Sequence, residues 1–403
     1  MYTMETINRT NYKMKKIALV TCYFQHNYGS QLQALATQMI FDKLGLENET
    51  IRIDGLRPEI NKAKYKYFLS KIFDLNTVRD KMATVRKQIA KRTSPEYARN
   101  LAARDRIFSH FAETKFKLSE LYTSKAELGK NAHSYEAFVV GSDQLWLPSN
   151  ISADYYTLNF VPEDVKKIAY ATSFGVSQLP HKQAEMAKHF LSRLDAIFVR
   201  ETSGQKLIKQ LTGKEVPLVC DPTLLFTAEE WNKQAPATRR VKENYILCYF
   251  LGNNPEQRSF AKRLAAALNC QIVQLPNLDE YIKSDEGFAD YPLYDVSPLD
   301  FIALIRDAQF VLTDSFHCTV FSTLFEKPFF SFRRYNNDSQ VSTNSRIYSL
   351  LDTFGIPERL LRGTEEISQC VKMQIDFTKV HQNIDSLRQK SIGYLTQALE
   401  LNL

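Results

Sequence analysis

A hydroxyl, a carboxylate and an imidazole lie close together in TDSFHCTVFSTLFEKP, residues 313–328. The apolar run before them predicts a strand, and the spacing of apolar residues after them predicts a helix. Asp314, Ser315 and His317 therefore stand where a strand ends and a helix begins. The first amide N–H groups of a helix attract anions. This junction predicts an anion site in which His317 donates a hydrogen bond or a proton. The alternative is that Asp314 or Ser315 only caps the helix and His317 packs in the core.

Arginines occur at two further predicted strand ends. Arg200 stands in FVRETS before a predicted helix, and Arg333 and Arg334 follow a strand in SFRRY. Guanidinium groups bind phosphates and carboxylates through paired hydrogen bonds. Because neighbouring strand residues point to opposite faces, we expect only one of Arg333 and Arg334 to reach the site, unless the turn starts there. Both are otherwise ordinary surface charges.

Two turns carry side chains suited to a polar ligand: a sugar in the first, and an anion or another polar ligand in the second. In GSDQLW, Asp143 is a candidate general base for a sugar hydroxyl, and Trp146 is a candidate for stacking on a sugar ring. The alternative is a turn anchored by a buried tryptophan. HNYGSQLQ places a second group of polar residues at a helix start, with Ser30 predicted as the cap. The candidate ligand-binding residues of the two turns are Asn27, Tyr28, Gly29, Ser30, Gln144 and Trp146.

The composition indicates a globular protein with room for two domains: 403 residues, 44% hydrophobic and 24% charged. No apolar run is long enough to span a bilayer, and residues 1–15 lack the apolar core of a secretory signal and predict a disordered lead. The six cysteines show no CxxC spacing, which predicts free thiols and no metal site. GxGxxG and P-loop patterns are absent from the sequence, which disfavours dinucleotide and P-loop chemistry.

Alternating strand and helix patterns predict an α/β fold with two Rossmann-like parallel-sheet domains facing a cleft. We place the N-terminal domain at residues 16–232 and the C-terminal domain at 245–375, and expect a last helix, 380–400, to pack back on the first domain. Ligands of such sheets bind beyond the carboxyl ends of the strands. The candidate residues above all follow predicted strands.

Residues 57–130 form a predicted helical insertion of different character, with 18 Lys and Arg against 8 Asp and Glu. Aromatic residues are interleaved with the charges, among them Tyr65, Tyr67, Phe68 and Phe73. One hypothesis is that the insertion contacts an anionic membrane surface peripherally. The alternative is a solvated helical face whose aromatic rings pack on the first domain. The charge would also permit nucleic-acid binding, but no nucleic-acid motif accompanies it.

The ordered set of motifs resembles the polysaccharide pyruvyl transferase family, from about Lys15 to Leu361. The matching stretches are NYGSQLQA, GSDQLW, YATSFG, VRETS, DPTLLF, TDSFHCTVFSTLFEKPF and NSRIYSLL. Two features depart from the family pattern. Cys318 stands where the family commonly has glycine, and the basic insertion has no counterpart that we can align.

The resemblance implies a fold like the two-domain GT-B glycosyltransferases. It also implies transfer of a pyruvyl group from phosphoenolpyruvate to a sugar of a polysaccharide repeat unit or its precursor, as a cyclic ketal, with release of phosphate. It implies a cytoplasmic enzyme of exopolysaccharide or capsule synthesis, acting on an acceptor that is free or lipid-linked, with phosphoenolpyruvate as co-substrate and no other cofactor.

On this resemblance His317 would hold or protonate phosphoenolpyruvate, and Asp143 would help to deprotonate the sugar hydroxyl. The expected donor-binding residues are Arg200, Asp314, Ser315, Arg333 and Arg334. The expected acceptor-binding residues are the six of the two turns: Asn27, Tyr28, Gly29, Ser30, Gln144 and Trp146. Two rival functions remain at this stage. One is a glycosyltransferase of the same architecture that binds a nucleotide-sugar at the same helix start. The other is a non-enzymatic module that binds nucleic acid through the basic segment.

Overall fold

The computed structural model describes residues 16–70, 85–334 and 345–401. Two parallel sheets, each with flanking helices, make up the described part of the chain. The predicted disordered lead, residues 1–15, and residues 71–84 of the predicted insertion lie outside the described residues.

The first sheet has five parallel strands in the order β2-β1-β3-β4-β5. Its strands are Lys16–Val20 (β1), Asn48–Thr50 (β2), Tyr135–Val140 (β3), Lys166–Ala169 (β4) and Ala196–Ile197 (β5). The central strands are almost wholly buried, because helices cover both faces. All carboxyl ends of a parallel sheet meet at one edge. The turns after β1, β3 and β5 therefore bring Ser30, Asp143 and Arg200 to the same side of the first domain.

The second sheet has six parallel strands in the order β11-β10-β9-β6-β7-β8. Its strands are Tyr245–Tyr249 (β6), Gln271–Gln274 (β7), Tyr291–Pro292 (β8), Phe310–Thr313 (β9), Phe329–Phe332 (β10) and Leu360–Leu361 (β11). Strand β9 is central and every residue in it is buried. The turn that carries Asp314, Ser315 and His317 therefore starts from the most enclosed part of this domain.

The helices of the first domain and its insertion are Tyr28–Lys43 (α1), Arg57–Ser70 (α2), Pro95–Lys115 (α3), Lys125–Lys130 (α4), Pro148–Ala153 (α5), His181–Ser192 (α6), Thr202–Thr212 (α7) and Ala228–Gln234 (α8). Those that follow are Pro255–Leu268 (α9), Pro298–Asp307 (α10), Phe316–Leu324 (α11), Ser345–Phe354 (α12), Ile367–Cys370 (α13) and Phe377–Ala398 (α14). The sequence SPLDFIALIRDA predicts a helix with Ser297 as its cap and Pro298 at its first position. The structure confirms this start of α10. The cap predicted at Ser30 is wrong: Asn27 caps α1 by accepting a hydrogen bond from the Ser30 amide.

The basic insertion is helical, as predicted, and is built from α2, residues 85–93, α3 and α4. Helix α2 packs against α5 of the first domain. Helix α3 buries Phe108 and Phe111 there, and its Arg104 forms an ion pair of 3.1 Å with Asp279 of the second domain. The insertion is thus anchored to both domains.

Other contacts also join the two halves. The ring of Tyr28 stacks on Phe301 of the second domain, with 4.7 Å between ring centroids. Helix α14 returns to the first domain, where the Ser391 hydroxyl accepts a hydrogen bond of 2.9 Å from the Cys220 amide. All six cysteines are free, as their spacing predicted. None of the helices in the described ranges is long and apolar enough to cross a membrane.

Candidate active site

A cavity of about 260 Å³ lies between the carboxyl ends of the two sheets. Turns after β1 and β3 form one wall, and turns after β6, β9 and β10 form the other. Its lining includes Ser30, Asp143, Ser315, His317, Arg334 and Arg346. The cleft predicted from the order of elements therefore brings together polar groups that are far apart in the sequence.

His317 reaches across the cleft to the first domain. Its Nε2 lies 3.4 Å from Oδ2 of Asp221, beyond a regular hydrogen bond, and this buried nitrogen has no hydrogen-bond partner among the described residues. Burial opposes the charged form of Asp221, yet the neighbouring His317 and Arg200 hold its pKa well below the usual range. Asp221 therefore stays a carboxylate beside Nε2 of the imidazole, at the distance of an ion pair and without a regular hydrogen bond to it.

Arg200 lies behind the cavity rather than in its lining. Its Nη1 donates to Oδ2 of Asp221 at 2.6 Å and to the Ser142 hydroxyl at 3.0 Å, and its Nη2 donates to Oδ1 of Asp143 at 3.3 Å. The guanidinium also lies over the Phe316 ring, 4.5 Å from its centroid. In this position Arg200 does not line the cavity, so the structure gives no support to the predicted direct contact between Arg200 and the donor. Arg200 instead holds the two carboxylates in place.

Asp143 is placed by an unusual backbone conformation, with a φ of 83° in the left-handed region. The Ser30 hydroxyl donates a hydrogen bond of 2.6 Å to its Oδ2. Burial works against the charged form, but the charges of Arg200, His317 and Arg346 outweigh it and lower the pKa of Asp143 to about 2. A group with so low a pKa is a weak proton acceptor near neutral pH. The structure therefore argues against the predicted general-base role.

Two arginines of the second domain line the cavity. Arg334 donates from Nη2 to the backbone oxygen of Asp314 at 3.1 Å. Arg346 lies 3.9 Å from Asp143, and its Nε has no hydrogen-bond partner in the described part of the chain. Burial, together with the charge of Arg200, lowers the pKa of Arg346 to about 10. A buried cation with such neighbours gains from binding an anion.

A family model for polysaccharide pyruvyl transferases matches residues 27–336 of this sequence. The match starts at Asn27, the cap of α1, and runs past Arg334. The chain belongs to the polysaccharide pyruvyl transferase family. It is therefore a transferase that acts in pyruvyl transfer to a polysaccharide.

The solved structures that resemble this pyruvyl transferase share its fold. One is a UDP-N-acetylglucosamine 2-epimerase with a TM-score of 0.51, 8% identity and coverage of 95% of each chain. Another is the putative UDP-N-acetylglucosamine 2-epimerase of Listeria monocytogenes, with a TM-score of 0.50, 10% identity and coverage of 94% of this chain and 91% of that one. At these identities the likeness concerns the fold alone. No curated protein matches the sequence closely enough to count as a relative.

With two parallel sheets facing a cleft, the GT-B-like fold predicted for this pyruvyl transferase is confirmed. The glycosyltransferase SnogD from Streptomyces nogalater also matches, with a TM-score of 0.47, 10% identity and coverage of 96% of this chain and all of the other.

The structure places the predicted acceptor residues of the first turn in different surroundings. Asn27 and Ser30 line the cavity of the pyruvyl transferase. Gly29 faces His317 so closely that a Cβ atom there would lie 2.0 Å from Nδ1. Tyr28 is 6% exposed, is absent from the described lining, and packs in the aromatic cluster with Phe301. A sugar therefore cannot reach Tyr28 without separating the domains.

In the GSDQLW turn, Gln144 lines the cavity but Trp146 does not. The Trp146 side chain is 0% exposed, and its Nε1 donates a hydrogen bond of 3.0 Å to the backbone oxygen of Tyr156. The prediction that Trp146 stacks on a sugar is therefore wrong. Instead, a buried tryptophan anchors the turn, which is the alternative prediction for this motif.

Two of the predicted donor-binding residues of the second domain, Asp314 and Arg333, contact other groups of the protein and do not line the cavity. The Asp314 carboxylate is buried and accepts hydrogen bonds from the amides of Leu251 at 2.7 Å and Gly252 at 2.8 Å. Arg333 stands over the Tyr348 ring, outside the described lining. Ser315 and Arg334 do line the cavity. Only one of the paired arginines thus reaches the site, but strand alternation is not the reason, because β10 ends at Phe332 and both arginines lie in the turn after it.

Two functional candidates were missed although their motifs were visible. Asp221 lies in DPTLLF, and Arg346 lies in NSRIYSLL. Both motifs carry the family resemblance, but neither has a spacing that indicates chemistry by itself. The only signal for Asp221 was a carboxylate directly after a strand-like run. No group of three His, Cys, Asp or Glu placed to hold a metal occurs in the described ranges.

Proposed function

We propose that the protein transfers the pyruvyl group of phosphoenolpyruvate to a sugar of a polysaccharide repeat unit or its precursor. The product is a cyclic ketal, and phosphate is released. The observation that carries the proposal is the cavity itself. There His317, with the Asp221 carboxylate beside its ring, lines the same small space as Arg334 and Arg346.

The donor would bind to the wall formed by the second domain. Phosphoenolpyruvate carries a phosphate and a carboxylate, and Arg334 and Arg346 supply two guanidinium groups for them. Ser315 and the first turn of α11 border the same space, and a helix start favours negative charge. The donor acts as co-substrate, and the proposal requires no other cofactor.

His317 would supply the proton that starts the reaction. Its transfer to the methylene carbon of the enol converts that carbon to a methyl group and leaves C2 electron-deficient. A sugar hydroxyl then forms a bond to C2 and loses its proton to His317. The C2–O bond to phosphate breaks, a second hydroxyl of the sugar bonds to C2, and its proton leaves with the phosphate. Both hydroxyl protons are thereby accounted for.

Asp143 has a supporting part in this scheme. With a pKa of about 2 it stays ionised, so it balances the charge of Arg200 and accepts the hydrogen bond of Ser30. An electron-deficient C2 is attacked by a neutral hydroxyl, so no strong base is needed before the bond forms. The departing phosphate is the stronger proton acceptor.

The size of the cavity favours this function over nucleotide-sugar transfer. At about 260 Å³ it lies below the roughly 300–1,000 Å³ typical of pockets for drug-sized ligands. A three-carbon phosphate beside one sugar ring suits this volume better than a nucleotide diphosphate sugar does. The cavity volume therefore favours pyruvyl transfer, and no observation in the described residues favours the glycosyltransferase alternative.

The insertion would bring the enzyme to a lipid-linked acceptor at the cytoplasmic face of a membrane. Five large apolar side chains are solvent-exposed within residues 65–89: Tyr65, Phe68, Leu69, Val85 and Ile89. Exposed apolar side chains next to Lys62 and Lys66, also exposed, suit a peripheral contact with anionic lipid. This favours the membrane hypothesis over aromatic packing on the first domain for these residues.

The test is incubation with phosphoenolpyruvate and a panel of nitrophenyl and lipid-linked glycosides. We expect phosphate release together with a glycoside mass raised by one pyruvate ketal. His317→Ala should lower turnover by at least about a hundredfold, the usual scale for losing an acid–base catalyst. His133→Ala is the matched control, because His133 pairs with Asp164 at 3.0 Å on the surface. Turnover of a nucleotide-sugar without phosphoenolpyruvate would contradict the proposal.

A further inference from the structure

One lysine of the insertion reaches the cavity. Lys64 lies on α2 and is part of the cavity lining, whereas Lys62 and Lys66 on the same helix are exposed. Burial lowers the pKa of Lys64, and no carboxylate within ion-pair distance offsets this in the part of the chain that the structure describes. A half-buried ammonium without a carboxylate partner is a costly arrangement unless a ligand brings the negative charge.

The position of Lys64 separates it from the donor wall. Arg334 and Arg346 enter the cavity from the second domain, whereas α2 packs against α5 of the first domain. The lining around Lys64 on this side is rich in neutral groups, including Asn27, Gln144, Ser149 and Asn150. Amides and hydroxyls suit the hydroxyl groups of a sugar. Lys64 is the one cation that the first domain and its insertion contribute to the described lining.

The same helix carries an apolar end. Phe68 lies four residues after Lys64 and therefore one turn further along the same face of α2. Phe68 and Leu69 are 39% and 44% exposed, and the Tyr67 ring packs edge-on against Phe68. A ligand that follows this face outward from the cavity would meet polar groups, then one cation, then apolar side chains.

We infer that Lys64 binds the phosphate that joins the acceptor sugar to an apolar carrier, and that the Phe68–Leu69 end of α2 lies against that carrier. The inference rests on the proposed function and assigns the residues that recognise a lipid-linked acceptor, one whose sugar is joined through phosphate to a lipid chain. The sugar occupies the amide-lined wall, and its phosphate supplies the charge that Lys64 lacks. Lys64 is then a residue of acceptor specificity, separate from the donor-binding arginines.

Geranyl diphosphate is the binding probe, because it carries phosphate and an apolar chain without a sugar. Calorimetry should show that wild-type protein binds it at least about tenfold more tightly than inorganic pyrophosphate. Lys64→Gln should weaken the binding of geranyl diphosphate at least about tenfold, whereas Lys64→Arg should keep most of the wild-type affinity. Lys62→Gln, on the exposed side of α2, should leave the affinity for geranyl diphosphate unchanged. Phe68→Ser should weaken binding of geranyl diphosphate and leave pyrophosphate unaffected.

Phosphoenolpyruvate binding distinguishes the two sources of phosphate. Lys64→Gln should leave the dissociation constant of phosphoenolpyruvate within about twofold of wild type. If Lys64→Gln weakens the binding of phosphoenolpyruvate as much as that of geranyl diphosphate, Lys64 belongs to the donor site and the inference is overturned. The inference is also overturned if Lys64→Gln changes the binding of neither ligand. Failure of the proposed function would show differently, as absent phosphate release with every glycoside while geranyl diphosphate binding still depends on Lys64.

Discussion

Gly29 and His317 belong to different domains, and the site depends on how closely they approach. A Cβ atom at Gly29 would lie 2.0 Å from Nδ1 and 2.5 Å from Cγ of His317. Such a distance is far inside van der Waals contact, so a side chain at residue 29 would displace the imidazole or open the cleft. A glycine is needed here because of the neighbouring ring.

Gly29→Ala should therefore reduce turnover by at least about tenfold, since a displacement of about 1 Å at a reacting group is costly. The control is Gly393→Ala in α14, where an added Cβ meets no atom within 4 Å. Circular dichroism should show both variants folded, and assays at saturating phosphoenolpyruvate should separate them. Unchanged turnover in Gly29→Ala would mean that the His317 ring need not occupy its observed position.

Asp143 should also leave a signature in acid stability. Its pKa is lowered from 3.8 to about 2, so its ionised form stabilises the fold above pH 4, and this contribution is lost as the pH falls towards 2. The shift corresponds to about 2 kcal/mol at neutral pH. Asp143→Asn should lower the free energy of unfolding by that order at pH 7, and the difference from wild type should shrink below pH 4. Urea unfolding at pH 7, 4 and 3 would measure it. A gap that stays constant down to pH 3 would contradict the assignment.

The residue types at strand ends predicted some of the side chains that line the cavity, but not all of their surroundings. His317, Ser315 and Arg334 reach the cavity as expected. Arg200 follows the same kind of strand end, but two carboxylates enclose it, and the second guanidinium in the cavity lining, beside that of Arg334, is that of Arg346. Strand alternation tells which face a side chain takes, but which partners surround it depends on contacts between distant segments.

At the scale of elements, local signals were reliable where capping side chains and periodicity agree. Ser297 and Pro298 start α10 as predicted, because the capping hydrogen bonds involve only adjacent residues. The last helix was predicted at 380–400 and is observed at Phe377–Ala398, with Asp376 as cap. Its partner in the first domain could not be read from local sequence, because the contact joins residues more than 150 positions apart.

Ser391 should be one of the residues that fix α14 to the first domain. Its hydroxyl is fully buried, accepts from the Cys220 amide and donates to the Leu387 backbone oxygen at 2.6 Å. Ser391→Ala would leave a buried amide without an acceptor, which costs about 1–3 kcal/mol of unfolding free energy. Ser192→Ala, which removes an exposed hydroxyl bonded to a helix carbonyl, should change it by less than about 0.5 kcal/mol. Equal effects of the two substitutions in urea unfolding would mean that α14 is not fixed through this contact.

At the scale of the whole molecule, charge and exposed apolar surface coincide. The chain has a formal net charge of +7, while residues 57–130 alone hold 18 basic and 8 acidic residues, so the rest of the chain is slightly acidic. Six of the seven large apolar side chains that are exposed in the described residues lie within this segment, five of them between Tyr65 and Ile89. The chain is thus polarised, because its positive charge and its exposed apolar side chains are concentrated in the same segment.

This polarity predicts how the protein meets a membrane. Each basic residue near an anionic surface contributes about 1 kcal/mol, so Lys62→Glu with Lys66→Glu should weaken vesicle binding by at least about 2 kcal/mol, roughly thirtyfold. The double variant Lys182→Glu with Lys214→Glu changes the net charge equally, but both residues lie outside the insertion and are exposed. Co-sedimentation with vesicles containing anionic lipid, at low and high salt, compares the two. Because salt screens exposed charges, wild-type binding should weaken as salt rises.

If both double variants lose binding equally, net charge alone attracts the protein and the insertion has no special part in docking. Wild-type protein that stays in the supernatant with anionic vesicles at low salt would remove the membrane contact from the proposed function and leave the cavity chemistry untouched.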